Sequence, residues 1–250
     1  MFHGSTRREV LLWALGSHAL VRTLLAQEAL AGPVRKEVQT WAARTYQLCA
    51  DVRGRKLEPR EWQRQVEELF ARVPLPDLLR AIDFDTLRPG ISLPDDRADA
   101  VSAPFPPVEG MPRRFGTKIF GMQQGRAIVP HGHQNMASMH LVLAGEFHLR
   151  HFERVEDQSE HLVLRPGIDR VSKPGDLSSI SDQRDNVHWL VATRGPAYTF
   201  DLIVVGLVPD RGFDWKMDHV DIDGAERLKD GLLRARRIDF DEAIRRYGKS

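Results

Sequence analysis

The chain holds a single cysteine. Cys49, alone among 250 residues, excludes an internal disulfide and any zinc site built on cysteine pairs. Set in a helical pattern, it reads as a small buried hydrophobe rather than a nucleophile. Charge of one sign is lacking too, since 36 basic residues face 35 acidic ones for a net charge of +1. That balance gives no reason to expect a nucleic-acid partner or a strongly acidic substrate, and the arginine run at 234–237 reads as a solvated helix face. No stretch is long and apolar enough for a stable membrane span. What is present is ordinary for a globular protein, with 42% hydrophobic and 28% charged residues. The length suits one substantial domain with helical additions, or two small domains.

Residues 1–31 stand apart. Thr6-Arg7-Arg8-Glu9-Val10-Leu11-Leu12, an apolar run to Leu25, and Ala29-Leu30-Ala31 before Gly32 have the layout of a twin-arginine export signal with its cleavage site. His18 and Arg22 interrupt that run and Glu28 sits beside the cut. The alternative is therefore an amphipathic helix packing Leu11, Leu15, Val21 and Leu25 against the rest. Export, and so a periplasmic location, is favoured over a cytoplasmic one.

Residues 33–112 divide into a helical segment and a linker. Val38, Trp41, Tyr46 and Cys49 predict one helix, Trp62, Val66, Leu69 and Phe70 a second, and 75–79 a short third. Six prolines between 88 and 112 rule out a helix or central strand there, so this stretch reads as a linker wrapping the next domain. From 113 to 209 the text becomes short apolar runs separated by Gly, Pro and Asp. Eight strands are expected, at 118–122, 127–133, 137–143, 146–155, 162–164, 176–181, 187–193 and 198–206. That layout predicts a closed all-β barrel or jelly roll. Residues 210–250 read as a C-terminal helical extension, with helices over 224–235 and 239–247. Asp221-Ile222-Asp223-Gly224 lacks the glutamate a calcium loop needs, and reads as a turn opening the first of these.

The chemistry concentrates in Pro130-His131-Gly132-His133. Two histidines at i and i+2 on a strand point to one face, so both imidazoles can reach one ion inside a barrel. Downstream come Lys173-Pro174-Gly175-Asp176, a turn opening a strand, and Asn186-Val187-His188-Trp189, which brings a third histidine on a returning strand. This two-part layout resembles the cupin signature over about residues 115–208. The resemblance implies a mainly β, jelly-roll β-barrel, here with an N-terminal helical segment and a C-terminal helical tail, and a metal on His131, His133 and His188. Cupins usually carry a glutamate ligand five residues after the second histidine, where this chain has Ser138. Three imidazoles without a carboxylate leave adjacent open positions for a substrate and O₂.

The sequence is similar in particular to the cysteamine dioxygenase and plant cysteine oxidase branch of thiol dioxygenases. The segment from Gly145 to Val155 resembles that branch's strand after the first motif, and Asn186-Val187-His188 its Asn-Ile-His. Pro196-Ala197 with Phe200-Asp201-Leu202-Ile203 resembles its later strand, and 38–49 its helical entry. The resemblance implies Fe(II) as cofactor, a small thiol and O₂ as partners, a sulfinate as product, and Asp201 as an active-site carboxylate. The chain departs from the pattern where Val205-Gly206-Leu207-Val208 replaces Pro-Pro-Tyr, and the Ser-His-Tyr relay of cysteine dioxygenase is absent.

Other residues join the candidate site by strand parity. His140 shares the parity of Ser138 and is expected inside the barrel, as a proton shuttle, a fourth ligand or a hydrogen-bond donor behind the metal. Arg150 shares a face with His148 and could bind a substrate carboxylate, or pair with Glu146 at the surface. Ser179 and Ser181 are candidates for the cavity wall, whereas Asp182 and Asp185 read as turn residues. Phe120, Phe147, Trp189 and Phe200 read as barrel core. Two other functions stay open: a different metal-dependent cupin oxygenase, acting on a dicarbonyl or phenolic substrate, and a ligand-binding cupin that is not an enzyme.

Overall fold

The computed structural model describes residues 32–211 and 216–249, so the export-signal reading falls outside the described residues. Helix α1 (Gly32–Arg53) buries Val38, Trp41, Ala42, Tyr46 and Cys49 along one stripe. Helix α2 (Pro59–Ala71) carries a proline in its first turn, where a missing N–H leaves no bond unmade, and buries Trp62, Val66 and Phe70 in line. Two short helices, α3 (Leu75–Ala81) and α4 (Phe84–Leu87), complete the helical part. Burial pushes the Cys49 thiol well up, in keeping with a core residue.

The rest is a β structure of nine strands, all paired antiparallel: β1 (Asp99–Ser102), β2 (Gly116–Met122), β3 (Ala127–Gln134), β4 (Met136–Asp157), β5 (His161–Ser172), β6 (Leu177–Ser181), β7 (Val187–Val205), β8 (Lys216–Arg227) and β9 (Leu233–Ile238). They run in the order β1-β2-β7-β3-β8-β9-β5-β4-β6, and a further β7–β4 pairing closes six of them into a circuit. Helix α5 (Phe240–Tyr247) follows, capped by Asp239, whose carboxylate accepts the Glu242 N–H at 2.7 Å.

Strands β4 and β7 are long enough to serve two walls. Residues 136–144 pair with 198–205, and 146–152 pair with 187–194, with register breaks between the two stretches. The first wall is β1, β2, β6 and the adjoining halves of β4 and β7. Its outer face packs Met139, Leu141, Phe200 and Leu202 against Trp41, Phe70 and Phe105 of the helical part and its linker. The second wall is β3, β5, β8, β9 and the other halves. Its outer face packs Val129, Phe152 and Trp189 against Val220, Ala235, Ala243 and Tyr247. Met122, Val142, Phe147, Leu149 and Leu190 fill one part of the space between the walls.

Three expectations need correction. The segment 224–235 is not a helix but the end of β8, a 3-10 turn at 229–231 and the start of β9. Val220, Ile222 and Ala235 alternate into the second outer core, and pairing with β3 and β5 outweighs the local helix preference. The arginine run therefore lies on a strand, with Arg234 and Arg236 meeting Glu226 and Glu242. Finally, the proline-rich linker contributes β1, in its proline-free stretch, to the sheet edge.

Candidate metal centre

His131 and His133 reach the interior because of a bulge. Ile128 pairs with Leu190 and His131 with His188, so β3 spends three residues where β7 spends two. The extra residue falls at Val129-Pro130, and proline has no N–H to lose from the ladder. Without the bulge His131 would share the face of Ala127 and Val129, in the outer core. Gly132 between the histidines is obligatory: a Cβ there would meet Asn186 Oδ1 at 2.6 Å. Asn186 in turn donates from Nδ2 to the His133 carbonyl at 2.7 Å and the Ser181 carbonyl at 3.0 Å, tying β3 to the entry of β7.

Ring nitrogens of His131, His133 and His188 lie within 4.8 Å of one another. All three are buried, with ring centroids 4.2 Å apart for His131 and His188 and 5.3 Å apart for His133 and His188. Burial holds them neutral: His131 is pushed down to about 4, and His133 and His188 fall well below the ordinary histidine value. His131 Nδ1–H donates to the Val129 carbonyl at 2.8 Å, which fixes the tautomer and leaves Nε2 with its lone pair. Neutral imidazoles with cavity-side lone pairs are what a divalent transition metal takes. Among the described residues, the group that can share one ion includes no carboxylate. The donor set therefore fits an open catalytic metal better than a closed structural one.

On the facing wall, His140 and Asp201 are paired across β4 and β7. His140 Nδ1–H donates to Asp201 Oδ2 at 2.8 Å, and Thr199 Oγ1–H donates to Asp201 Oδ1 at 2.9 Å. Both carboxylate oxygens are thus occupied, and the remaining His140 nitrogen, Nε2, is buried with no partner. Its ring centroid stands 5.1 Å from that of His188. Ser138, five residues after His133, lines the same cavity with its hydroxyl unpartnered. That cavity measures about 1050 Å³ and is walled largely by apolar side chains such as Phe120, Ile128, Ile203 and Val205.

Arg150 lies elsewhere. Val142 and Phe147 both face the interior core although they are five positions apart, an odd offset, so the parity of β4 switches between them. Gly145 marks the switch, with φ +75° and room for no Cβ, which would fall 2.6 Å from Ala197. Arg150 consequently points outward, its guanidinium 4.5 Å from the Trp189 ring centre and near Asp169 rather than Glu146. Ser179 and Ser181 also face outward, bonding Glu67 and Gln63 of α2. Of the aromatic residues, Phe147 is interior core, Trp189 and Phe200 are outer core, and Phe120 walls the cavity. The same parity switch turns His151 inward, opposite His188. Sequence reasoning missed it, although a glycine inside a strand pattern is the signal for such a bulge. His219, opposite His131 on β8, lines the cavity too and was also missed.

No family model matches the chain, and no curated protein does. Solved structures with partial similarity include KdgF from Halomonas sp. (16% identity, 45% of this chain, 82% of that one, TM-score 0.32). A cupin-superfamily protein from Desulfitobacterium hafniense DCB-2 matches at 12% identity over 46% of this chain and 83% of its own, with a TM-score of 0.30. Oxalate oxidase in complex with the substrate analogue glycolate matches at 13% identity over 49% of this chain and 56% of its own, with a TM-score of 0.35. Among the described residues no helix is long and apolar enough to cross a membrane.

Proposed function

We propose that the chain is a three-histidine metalloenzyme of the cupin type that oxidises a thiol to a sulfinate with dioxygen. One observation carries the reading: three neutral, cavity-facing imidazoles converge with no carboxylate among them, beside a histidine whose free nitrogen can accept a proton. The reaction balances as R–SH + O₂ → R–SO₂H. Both oxygen atoms end on sulfur, which is oxidised by four electrons as dioxygen is reduced.

Fe(II) held by His131, His133 and His188 would supply Lewis acidity toward the thiol and redox chemistry toward dioxygen. The chain's own residues divide the remaining work. Asp201 accepts the His140 Nδ1–H, so Nε2 is the nitrogen that takes the thiol proton and releases it to solvent as the sulfinate anion departs. Thr199 holds Asp201 in place from the other oxygen. With one hydrogen bond on each oxygen, Asp201 orients His140 while its remaining lone pairs border the cavity. The apolar wall of Phe120, Ile203 and Val205 excludes water from a reactive sulfur.

The test is anaerobic loading with Fe(II), then oxygen uptake against a panel of small thiols and a peptide with N-terminal cysteine. Uptake matched by sulfinate, and lost in His188→Ala, establishes the activity. Iron binding without uptake overturns the thiol reading in favour of another oxygenase. The cavity volume, about 1050 Å³ and ample for a drug-sized ligand, favours a bulky dicarbonyl or phenolic substrate in that case. Absence of iron binding identifies a ligand-binding protein. A periplasmic location is likewise our proposal, tested by fractionating cells that express the full chain with Arg7→Lys and Arg8→Lys as the control.

A further inference from the structure

His151 is the most completely enclosed imidazole of the barrel. Its residue is 0% exposed, and neither Nδ1 nor Nε2 has a hydrogen-bond partner. A buried polar atom left unbonded costs stability, so two on one ring call for an occupant. The ring faces His188. The two residues sit directly opposite each other on β4 and β7, and their ring centroids are 6.1 Å apart with the planes at 67°. His188 has the matching deficit, for its Nδ1 is buried and unpartnered while the ring lines the cavity. The other ends of this row are different. His131 has given its Nδ1–H to the Val129 carbonyl, and His140 has given its own to Asp201.

We propose that His151 is the positioning residue for the ligand His188, receiving its Nδ1–H through one buried water. The inference rests on the reading of His131, His133 and His188 as metal ligands. A ring separation of 6.1 Å is too long for a direct bond between the nitrogens and suits a single bridging water, which finds two or more polar partners there. The bridge fixes the tautomer of His188 with Nε2 toward the metal, as a carboxylate or carbonyl does behind most ligating histidines. Here the receptor is an imidazole rather than a carboxylate. The His188 ligand is thereby less electron-rich than one backed by a carboxylate.

The experiment titrates the full chain with Co(II), reading affinity by competition and coordination by the visible spectrum. His151→Phe, which keeps a ring and removes both nitrogens, is expected to weaken Co(II) binding roughly tenfold or more and to shift the spectrum. His151→Gln, which retains donor and acceptor, is expected to recover most of the affinity. A structural role alone would lower thermal stability in both variants and leave the spectrum of the folded fraction unchanged. A second readout needs no variant: nitrogen-15 histidine spectra of the Zn(II)-loaded protein should show a slowly exchanging His188 Nδ1–H. Wild-type affinity and spectrum in His151→Phe, or no protected His188 Nδ1–H, overturn the proposal alone. Failure of the wild type to bind Co(II) or Zn(II) overturns the metal-site reading and this one with it.

Discussion

The two walls of the barrel handle buried polar groups in opposite ways. On the first, His140, Asp201 and Thr199 form a chain in which both carboxylate oxygens are bonded and one nitrogen is left over. On the second, His131, His188 and His151 stand in a row across β3, β7 and β4, with a single hydrogen bond to protein among them, that of His131. The first wall satisfies its carboxylate within the protein and orients one proton acceptor. The second leaves several buried imidazole nitrogens without a protein partner, the deficit on which the proposed metal and its water rest. Buried nitrogens on this scale cost stability unless something binds them.

Breaking the second wall has the largest expected effect. His131→Ala or His188→Ala should leave no stoichiometric Fe(II) or Co(II) after gel filtration, as measured by metal analysis. Deleting Pro130 should do the same with all three histidines still present, since removing the bulge turns His131 and His133 to the outer face. Retained strand content by circular dichroism would show that the loss comes from facing rather than unfolding.

Acid separates the walls without mutation. His131 and His151 are held at about 4 and about 3 in the folded chain, against 6.5 when free. Below pH 6.5 the unfolded chain takes up protons that the folded one refuses, so stability falls as pH falls. Each such group contributes a slope of about 1.4 kcal/mol per pH unit until its folded value is reached. Denaturant midpoints of the metal-free protein from pH 7 to 4 check this, and a flat profile would contradict neutral burial of the histidines.

Smaller effects belong to the first wall and the outer surface. Asp201→Asn should slow turnover roughly 100-fold with iron content unchanged, because it disturbs the His140 tautomer and no ligand. Parallel loss of iron would place Asp201 in the metal's hold instead. Arg150→Ala should leave metal and turnover untouched and cost about 0.5–1 kcal/mol, the partly exposed guanidinium covering the outer core at Trp189. A substantial rise in KM would return Arg150 to the substrate pocket.

Much of this was legible beforehand. The eight expected strands correspond to β2 through β7, with two pairs of them fused into β4 and β7. Helices α1, α2 and α3 follow from the spacing of Trp41, Tyr46, Trp62, Val66 and Phe70 together with prolines at the helix starts. His140 lies inside as its parity with Ser138 requires, because no bulge falls between them. Arg150 takes the outward of its two expected positions, Ser179 and Ser181 lie outside the cavity, and His151 escaped notice, because alternation tells which residues share a face but not which face is inside. The C-terminal strands escaped because the alternation in β8 is short, at Val220 and Ile222, and both strands are held by pairing with the distant β3 and β5.

The amino-acid sequence by itself determined the class of architecture, the helical start, and the histidine pairing at 131 and 133, all properties of neighbours within a few residues. Tertiary structure decided what those neighbours meet. The bulge at Pro130 and the parity switch at Gly145 each shift a strand by one residue, and in a strand one residue is the difference between cavity and outer core. Asp201 was named by resemblance, but only the folded chain shows both its oxygens occupied. Such facts lie outside local pattern because they depend on atoms distant in sequence competing for the same hydrogen bonds and the same space.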